Sequence, residues 1–136
     1  MEKALVDYIL AQHAEADEFM KTPGNWMGKM PAPTETKYWS ERVPSGTLAE
    51  FKRIELEEDA YYSTAEAFSK SYARSFDYSV MTRAELLAMC SEASKVIEME
   101  AQEEQMREEA EQNHFDSLAA DLNVDRETLD RWMESA

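Results

Sequence analysis

The residue types that carry catalysis or bind metals are few in this chain and do not cluster. There are two histidines, His13 and His114, and a single cysteine, Cys90. The histidines fall on different predicted helices, whereas a zinc site needs His and Cys ligands at short, fixed spacings. Cys90 lies within an apolar stripe, where a buried and unreactive thiol is expected rather than a nucleophile. No phosphate-binding loop or G-x-S-x-G motif is present, so we expect no metal, no cofactor and no enzymatic activity.

Carboxylates are the abundant chemical group, and they concentrate in two runs, residues 55–59 and 98–111. Di-iron bundles hold their metals with a pair of Glu-x-x-His motifs, and that pair is missing here. Glu58 interrupts an apolar seam, so it marks either the edge of the seam or a place where an Arg or Lys side chain reaches in. The second run keeps helical propensity with few apolar contacts, which indicates either a solvated helix or an arm that packs on a partner. The candidate partner-binding residues are Glu98, Glu100, Glu103, Glu104, Glu108, Glu109 and Glu111.

The formal net charge of −15 is unevenly distributed along the 136 residues. Residues 21–53 carry six basic and three acidic side chains, whereas residues 95–116 carry eight acidic and two basic ones. Strong negative charge repels nucleic acid and steers a protein toward basic surfaces. The expected partner is therefore a protein with a basic surface, and nucleic acid is not expected to bind.

The C-terminal stretch SLAADLNVDRETLDRW, residues 117–132, resembles the helix-turn-helix of MerR-type, Cro-type and related phage regulators. It predicts helices at about 115–122 and 126–134, with Asn123 in the left-handed turn and Asp125 as the second N-cap. The predicted small core is Leu118, Ala119, Leu122, Val124 and Leu129. DNA contact needs cations, but the exposed positions of the second helix are Arg126, Glu127, Asp130, Arg131 and Glu134. A helical corner packed on its own domain, a corner reused for protein binding and a DNA-reading unit all remain open.

Composition predicts an all-α chain, because Gly and Pro number only 3 and 4 while helix-forming residues are plentiful. We expect a single domain of four to five helices. All the Pro and Gly residues fall in a connector, residues 22–46, which also carries Trp26 and Trp39. Since this segment is too apolar for a disordered linker, we expect it to pack over the helices with both tryptophans largely buried.

The apolar spacing predicts helices at about 2–21, 34–42, 48–73 and from 83 toward 113. Thr34 is the expected cap of the second helix, and capping boxes are expected at Thr47 with Glu50 and at Thr82 with Glu85. The predicted buried stripes are Leu5, Ile9, Ala16 and Phe19; then Phe51, Ile54, Tyr61, Ala65, Phe68 and Tyr72; then Leu86, Cys90, Ala93 and Ile97, with Met89 and Val96 beside them.

These elements predict a helical domain over residues 1–113, followed by a corner over 114–136 that is packed on it or appended to it. No stretch approaches the roughly 20 apolar residues of a membrane span. Acidic residues in the first turns are not typical of a signal peptide. A single cysteine suits a reducing compartment, so a cytoplasmic location is expected.

Residues of about 15–95 resemble a group of uncharacterised small proteins of tailed phages. The residues that carry the resemblance are Glu18-Phe19-Met20, Pro23-Gly24-Asn25-Trp26, Thr47, Phe51-Lys52-Arg53, Glu55-Leu56-Glu57, Phe76-Asp77, Met81 and Ala84-Glu85-Leu86. The chain departs from the group at residues 71–74, where relatives tend to have a Gly-x-Arg-Pro run. The resemblance implies a phage context, and so the cytoplasm of a bacterial host, without implying a mechanism.

The expected function is therefore non-enzymatic binding of a host cytoplasmic protein, with inhibition of a nucleic-acid-handling or defence factor by an acidic, DNA-mimicking surface as one form of it. Two alternatives stay open. The chain is a small helix-turn-helix transcription regulator, or it is a structural or assembly protein that forms homo-oligomers through the helix at 83–113.

Overall fold

The computed structural model describes residues 1–122 and 126–135, which form helices and connecting segments with no strand among them. The prediction of an all-α fold is confirmed. The elements in chain order are α1 (Lys3–Met20), α2 (Thr36–Arg42), α3 (Leu48–Ala67), α4 (Lys70–Arg74), a 3-10 turn (Tyr78–Val80), α5 (Arg83–Leu122) and α6 (Arg126–Ser135).

The hydrophobic core joins α1, α2 and the first turn of α3. Its buried members are Leu5, Ile9, Trp39, Val43 and Phe51. The Trp39 and Phe51 rings meet edge to face with centroids 5.5 Å apart, and the Tyr8 ring contacts Phe51 at 5.7 Å. The Trp39 Nε1–H donates to the Ala32 carbonyl at 3.0 Å. The indole N–H, the one polar group of the side chain, is therefore hydrogen-bonded although the ring is buried.

The connector is anchored on the helices, but only one of its tryptophans is buried. Trp39 is 3 % exposed, as predicted, whereas Trp26 is 81 % exposed, so the prediction for Trp26 was wrong. A Cβ at Gly28 would lie 3.4 Å from the Trp26 ring, which shows that the indole lies over its own loop instead of the helices. The Thr22–Asn25 turn, with Gly24 at φ +88°, directs the loop outward before it returns at Met30, whose carbonyl lies 2.6 Å from His13 Nε2.

Helix α3 is shorter than predicted, because it ends at Ala67 and not near residue 73. The Ser69 side chain accepts from the Tyr72 N–H and caps a separate helix, α4. The two aromatic residues assigned to the end of the predicted stripe are consequently about half exposed, Phe68 at 49 % and Tyr72 at 48 %. Phe51 is buried as predicted, and Ile54, Tyr61 and Ala65 are half-buried. The other buried positions of α3 are Ala60, Thr64 and Ala67.

Helices α3 and α5 pack side by side and run in the same direction. Ala49 and Leu56 line one groove together with Leu87, and Thr64 and Phe68 line another together with Met89 and Glu92. The contact is made by small side chains. Ala60 and Ala93 are both 0 % exposed, and Ala67 is 7 % exposed. Leu86 is buried as predicted, while Cys90 and Ile97 are half-buried.

The turn that reverses the chain before α5 is held by Arg53 on α3. Its Nη2 donates to the Tyr78 carbonyl at 3.2 Å and also to the Met81 carbonyl. The predicted capping box at Thr82 is confirmed, because Glu85 N–H donates to Thr82 Oγ1 at 3.1 Å and Thr82 N–H donates to the Glu85 carboxylate at 3.3 Å.

The other predicted caps are less complete. Thr47 Oγ1 accepts from the Glu50 N–H at 3.2 Å, but the Glu50 carboxylate accepts from Ser45 N–H instead of closing the box. Thr34 is not the cap of α2, which follows Glu35 without a side-chain cap. Phe19, at the end of the predicted α1 stripe, is 43 % exposed because that stripe is covered only as far as Ala16.

Helix α5 continues to Leu122, so the separate helices expected at 83–113 and 115–122 are one element of 40 residues. Residues 98–122 contain neither Gly nor Pro, and their Ala, Glu, Gln and Met are strong helix formers. At 1.5 Å per residue the helix is about 60 Å long. Leu118 and Ala119 are half-buried and Leu122 is exposed. The predicted turn residues Asn123, Val124 and Asp125, and the Leu129 side chain, lie outside the described residues.

Candidate functional site

The middle of α5 is a helix exposed on every side. Every residue from 98 to 114 is exposed, and we call this segment the acidic arm. Helix α5 packs on α3 before the arm and on α6 after it. All seven candidate partner-binding glutamates therefore lie on one solvent-facing helix: Glu98, Glu100, Glu103, Glu104, Glu108, Glu109 and Glu111.

The face of α5 that packs on α3 does not end where α3 ends, but it changes chemistry there. Leu86, Cys90, Ala93 and Ile97 are spaced by four, three and four residues along that face. Steps of three or four residues continue along this face through glutamates, which we call the acidic seam: Glu100, Glu104, Glu108 and Glu111. Side chains three and four residues apart share a helix face. The surface on which another helix would pack is thus lined with carboxylates in the arm.

The charge density of the arm is close to that of one nucleic-acid strand. Residues 98–114 carry seven acidic side chains against Arg107, a net charge of −6. They span about 24 Å at 1.5 Å per residue, which gives one net negative charge per roughly 4 Å. Duplex DNA carries one per about 1.7 Å and each strand one per about 3.4 Å. Such a surface attracts cationic side chains.

A second candidate surface, missed from the sequence, is an aromatic groove beside the first turns of α5. Its cavity of about 200 Å³ is lined by Phe68, Tyr72, Phe76, Met81 and Met89, with Thr64 and Glu92 completing the wall. The rings of Phe68, Tyr72 and Phe76 form a chain of edge-to-face contacts with centroids 5.1–5.2 Å apart. The sequence signal that would have found it is Ser69, a helix cap directly after Phe68, which ends α3 and turns these rings outward.

The third candidate site is a cluster of charged side chains where α2 crosses α3. Two N–H groups of the Arg42 guanidinium donate to the two Glu58 carboxylate oxygens, at 2.5 and 2.8 Å, so the interpretation in which a basic side chain reaches Glu58 is confirmed. The hydrogen bonds from Arg42 lower the pKa of Glu58. By contrast, burial and the nearby Asp59 and Glu58 carboxylates raise the pKa of Glu55. This cluster holds two helices together and presents no nucleophile.

A groove of about 590 Å³ carries cations, but its chemistry is structural. It lies between α1, α3 and the start of α5 and includes Tyr8, Lys52, Arg53 and Arg83. Lys52 Nζ lies 5.5 Å from the centroid of the Tyr8 ring, a cation–π distance. Arg53 is engaged by the two carbonyls before α5. Burial, together with Asp59, raises the pKa of the Cys90 thiol nearby, so that thiol is protonated at neutral pH and is a poor nucleophile.

The helix-turn-helix-like residues lie on α6, beyond the arm. Glu127 and Arg131 are exposed and Asp130 is half-buried, while the Arg126 side chain lies outside what the structure describes. Arg131 Nη2 donates to Thr128 Oγ1 at 3.4 Å. Two large apolar side chains on the same helix are also exposed, Trp132 at 54 % and Met133 at 56 %.

Features that would assign a function by themselves are not found in the described part of the chain. No three His, Cys, Asp or Glu side chains there converge to hold a metal ion. No helix within residues 1–122 and 126–135 is long and apolar enough to cross a membrane. Across the whole sequence, no protein-family model, no curated protein and no solved structure matches the chain.

Proposed function

We propose that the protein is a non-enzymatic binding protein that recognises a partner with a basic surface through its acidic arm. The observation that carries the proposal is the acidic seam. The face of α5 that packs on α3 as far as Ile97 continues through Glu100, Glu104, Glu108 and Glu111 into solvent. A helix face laid out for packing but lined with carboxylates suits a cationic surface.

The arm is poorly explained as a device that stabilises the fold. Glu100 with Glu104, and Glu104 with Glu108, are like charges four residues apart, each pair unfavourable by about 0.2–0.5 kcal/mol. No residue of the arm is buried, so its side chains add little to the core. Stability alone would favour lysines at these positions, and binding to a cationic partner gives the acids a role.

The same charge argues against the two alternative functions. A second copy docked arm to arm would set one net charge of −6 against another, which disfavours an oligomer built on this segment. A regulator that reads DNA with α6 would bring the arm, on the adjoining helix α5, close to the phosphates. Protein binding is therefore the better-supported function.

Mimicry of a nucleic acid is the form of this function that the arm's charge density suits. If the chain belongs to a tailed phage, as its sequence resemblance implies, the partner is a nucleic-acid-handling or defence protein of the bacterial host. The arm would then occupy a groove built for a phosphate backbone and inhibit that protein. Its carboxylate spacing is that of a single strand more than that of a duplex, so a single-strand-binding groove is the preferred target.

The test compares two pairs of Glu→Gln changes that remove the same charge. One pair lies on the acidic seam, Glu104 and Glu108, and the other, Glu98 and Glu109, lies on a face of the helix away from the seam. Proteins captured from a host lysate are identified by mass spectrometry, purified and tested for binding and for competition by single-stranded DNA. We expect the seam variant to lose affinity and to associate more slowly, most of all at low salt, because charge steering acts on the on-rate. The other variant should retain most of its binding.

Both variants should be at least as stable as the wild type, because each removes repulsion from a solvated helix. A clearly lower melting temperature would show that the glutamates are paired within the protein. Binding to the purified partner with unchanged salt dependence in both variants would show that the arm is only a solvated helix, and the proposal would be wrong.

A further inference from the structure

We infer that the partner segment recognised by this protein is a basic amphipathic helix, which docks along α5 from the aromatic groove to the end of the arm. This inference rests on the proposed function, and it adds the apolar half of the recognition surface to the acidic half.

The apolar half is a second stripe on α5, adjacent to the acidic seam. Positions 89, 92, 96, 99, 103, 106 and 110 alternate spacings of three and four and so lie on one face. We call this face the methionine stripe, after Met89, Met99 and Met106. Val96 and Met89 are half-buried, whereas Met99 is 59 % and Met106 is 69 % exposed. Only Glu92 and Glu103 interrupt the stripe with charge.

The methionine stripe is continuous with the aromatic groove. Met89 and Glu92 are members of the stripe and also line the groove formed by Phe68, Tyr72 and Phe76. The stripe from Met89 to Ala110 is about 32 Å long. The groove therefore offers a pocket for a large apolar side chain at one end of a flexible methionine surface, and methionine adapts its shape to varied apolar ligands.

The methionine stripe and the aromatic groove together suit a helix of the partner better than an extended strand. The backbone N–H and C=O groups of α5 are bonded within the helix, so an extended strand would find no edge on which to pair. An apolar repeat of three and four residues matches the same repeat on a second helix. Positive charge on that helix follows from its neighbours, because the acidic seam flanks the stripe and Glu92 and Glu103 interrupt it. A second copy of this chain carries the wrong charge for that position.

The test uses the full chain and two fluorescent 21-residue peptides of identical Leu and Lys composition. One peptide has Leu at the first and fourth positions of each heptad, and the other has the same residues in an order with no apolar face. Binding is followed by anisotropy, and peptide helicity by circular dichroism. We expect the amphipathic peptide to bind at least about tenfold more tightly and to gain helix on binding, because burying apolar side chains adds to the charge attraction.

Substitutions at exposed positions separate the apolar half from the charged half. Met99→Ser with Met106→Ser should abolish the preference for the amphipathic peptide while leaving the other peptide's affinity unchanged. The matched control is Met27→Ser with Met133→Ser, which changes two methionines that are 39 % and 56 % exposed elsewhere, and it should keep the preference. The far-UV spectrum of each variant checks that the fold is intact.

The two proposals fail in different ways. If the seam variant weakens both peptides while the Met99 and Met106 changes have no effect, the arm binds charge alone and this inference is overturned. If the seam variant binds both peptides with the same affinity as the wild type, the proposed function fails as well. If the wild type sediments as a dimer that the Met99 and Met106 changes dissociate, the stripe is a self-association surface, which also overturns the inference.

Discussion

The guanidinium of Arg42 holds the Glu58 carboxylate with two hydrogen bonds, and this contact makes stability depend on pH. Pairing lowers the pKa of Glu58 in the folded chain below the ordinary value of 4.5. The stabilisation by this ion pair is therefore fully present above pH 4.5, and it is lost as the pH falls through the lower pKa that Glu58 has in the folded chain. Glu58→Gln should cost about 0.5–1 kcal/mol at pH 7, a modest amount since both side chains are partly exposed.

Urea denaturation of wild type and Glu58→Gln from pH 7 to pH 3 checks this prediction. The stability gap should close as the pH falls below 4.5. Glu18→Gln is the control, since Glu18 pairs with Lys21 on the surface and the two side chains are 74 % and 73 % exposed. A gap that stays constant to pH 3 would mean that the Gln side chain disturbs packing and that the lost charge is irrelevant.

The two connector tryptophans differ in burial and should differ in the stability that they contribute. Trp39→Ala removes a core ring and its hydrogen bond to Ala32, and should lower the free energy of unfolding by about 3–5 kcal/mol. Trp26→Ala removes a ring that is 81 % exposed and should change it by less than about 0.5 kcal/mol. Thermal melts of the two variants provide the comparison, and equal losses would place Trp26 in the core after all.

At the scale of elements, α3 and α5 approach closely because alanines line their contact. Ala93 is fully buried there, so Ala93→Leu should force the helices apart and cost about 1–3 kcal/mol. Ala88→Leu, at an exposed position of the same helix, should change stability by no more than about 0.5 kcal/mol. Chemical denaturation measures both. If Ala93→Leu is as stable as the wild type, the contact has room for larger side chains.

Local signals in the sequence were enough to place most helices but not the contacts between them. Capping and periodicity within one segment predict the capping box of Thr82 with Glu85 and the burial of Leu5, Ile9, Leu86 and Ala93. The outward position of Trp26 and the pairing of Glu58 with Arg42 depend on contacts between segments, which periodicity does not encode. Phe68 was misplaced because its spacing fits the stripe of α3, while the Ser69 cap that ends the helix outweighs that spacing.

The candidate site was predicted in part. The seven arm glutamates and their helical setting could be read from the sequence, because composition and propensity agree over residues 98–111. Their full exposure depends on where α3 stops, which no residue of α5 determines. The Ser69 cap signals that α3 ends after Phe68, but the shape of the aromatic groove depends on how three elements meet in the fold.

For the whole molecule, the charge distribution predicts the absence of DNA binding. At 150 mM salt, duplex affinity should be weaker than the about 10⁻⁴–10⁻⁶ M of ordinary non-specific binding, because counterion release requires cations, and acidic side chains outnumber basic ones in both α6 and the arm. A gel-shift titration with micromolar protein checks this expectation. A distinct shifted band at that salt concentration would favour the helix-turn-helix regulator and count against binding through the arm.

The length of α5 has a consequence for how the protein meets anything charged. Residues 98–116 carry a net charge of −7, whereas the 97 residues before them together carry only −5. Negative charge is thus concentrated in the later part of a helix of about 60 Å, and this uneven distribution gives the molecule an electric dipole. In the field of a cationic surface the protein experiences a torque before it makes contact. It rotates so that the arm leads, and random collisions become oriented ones.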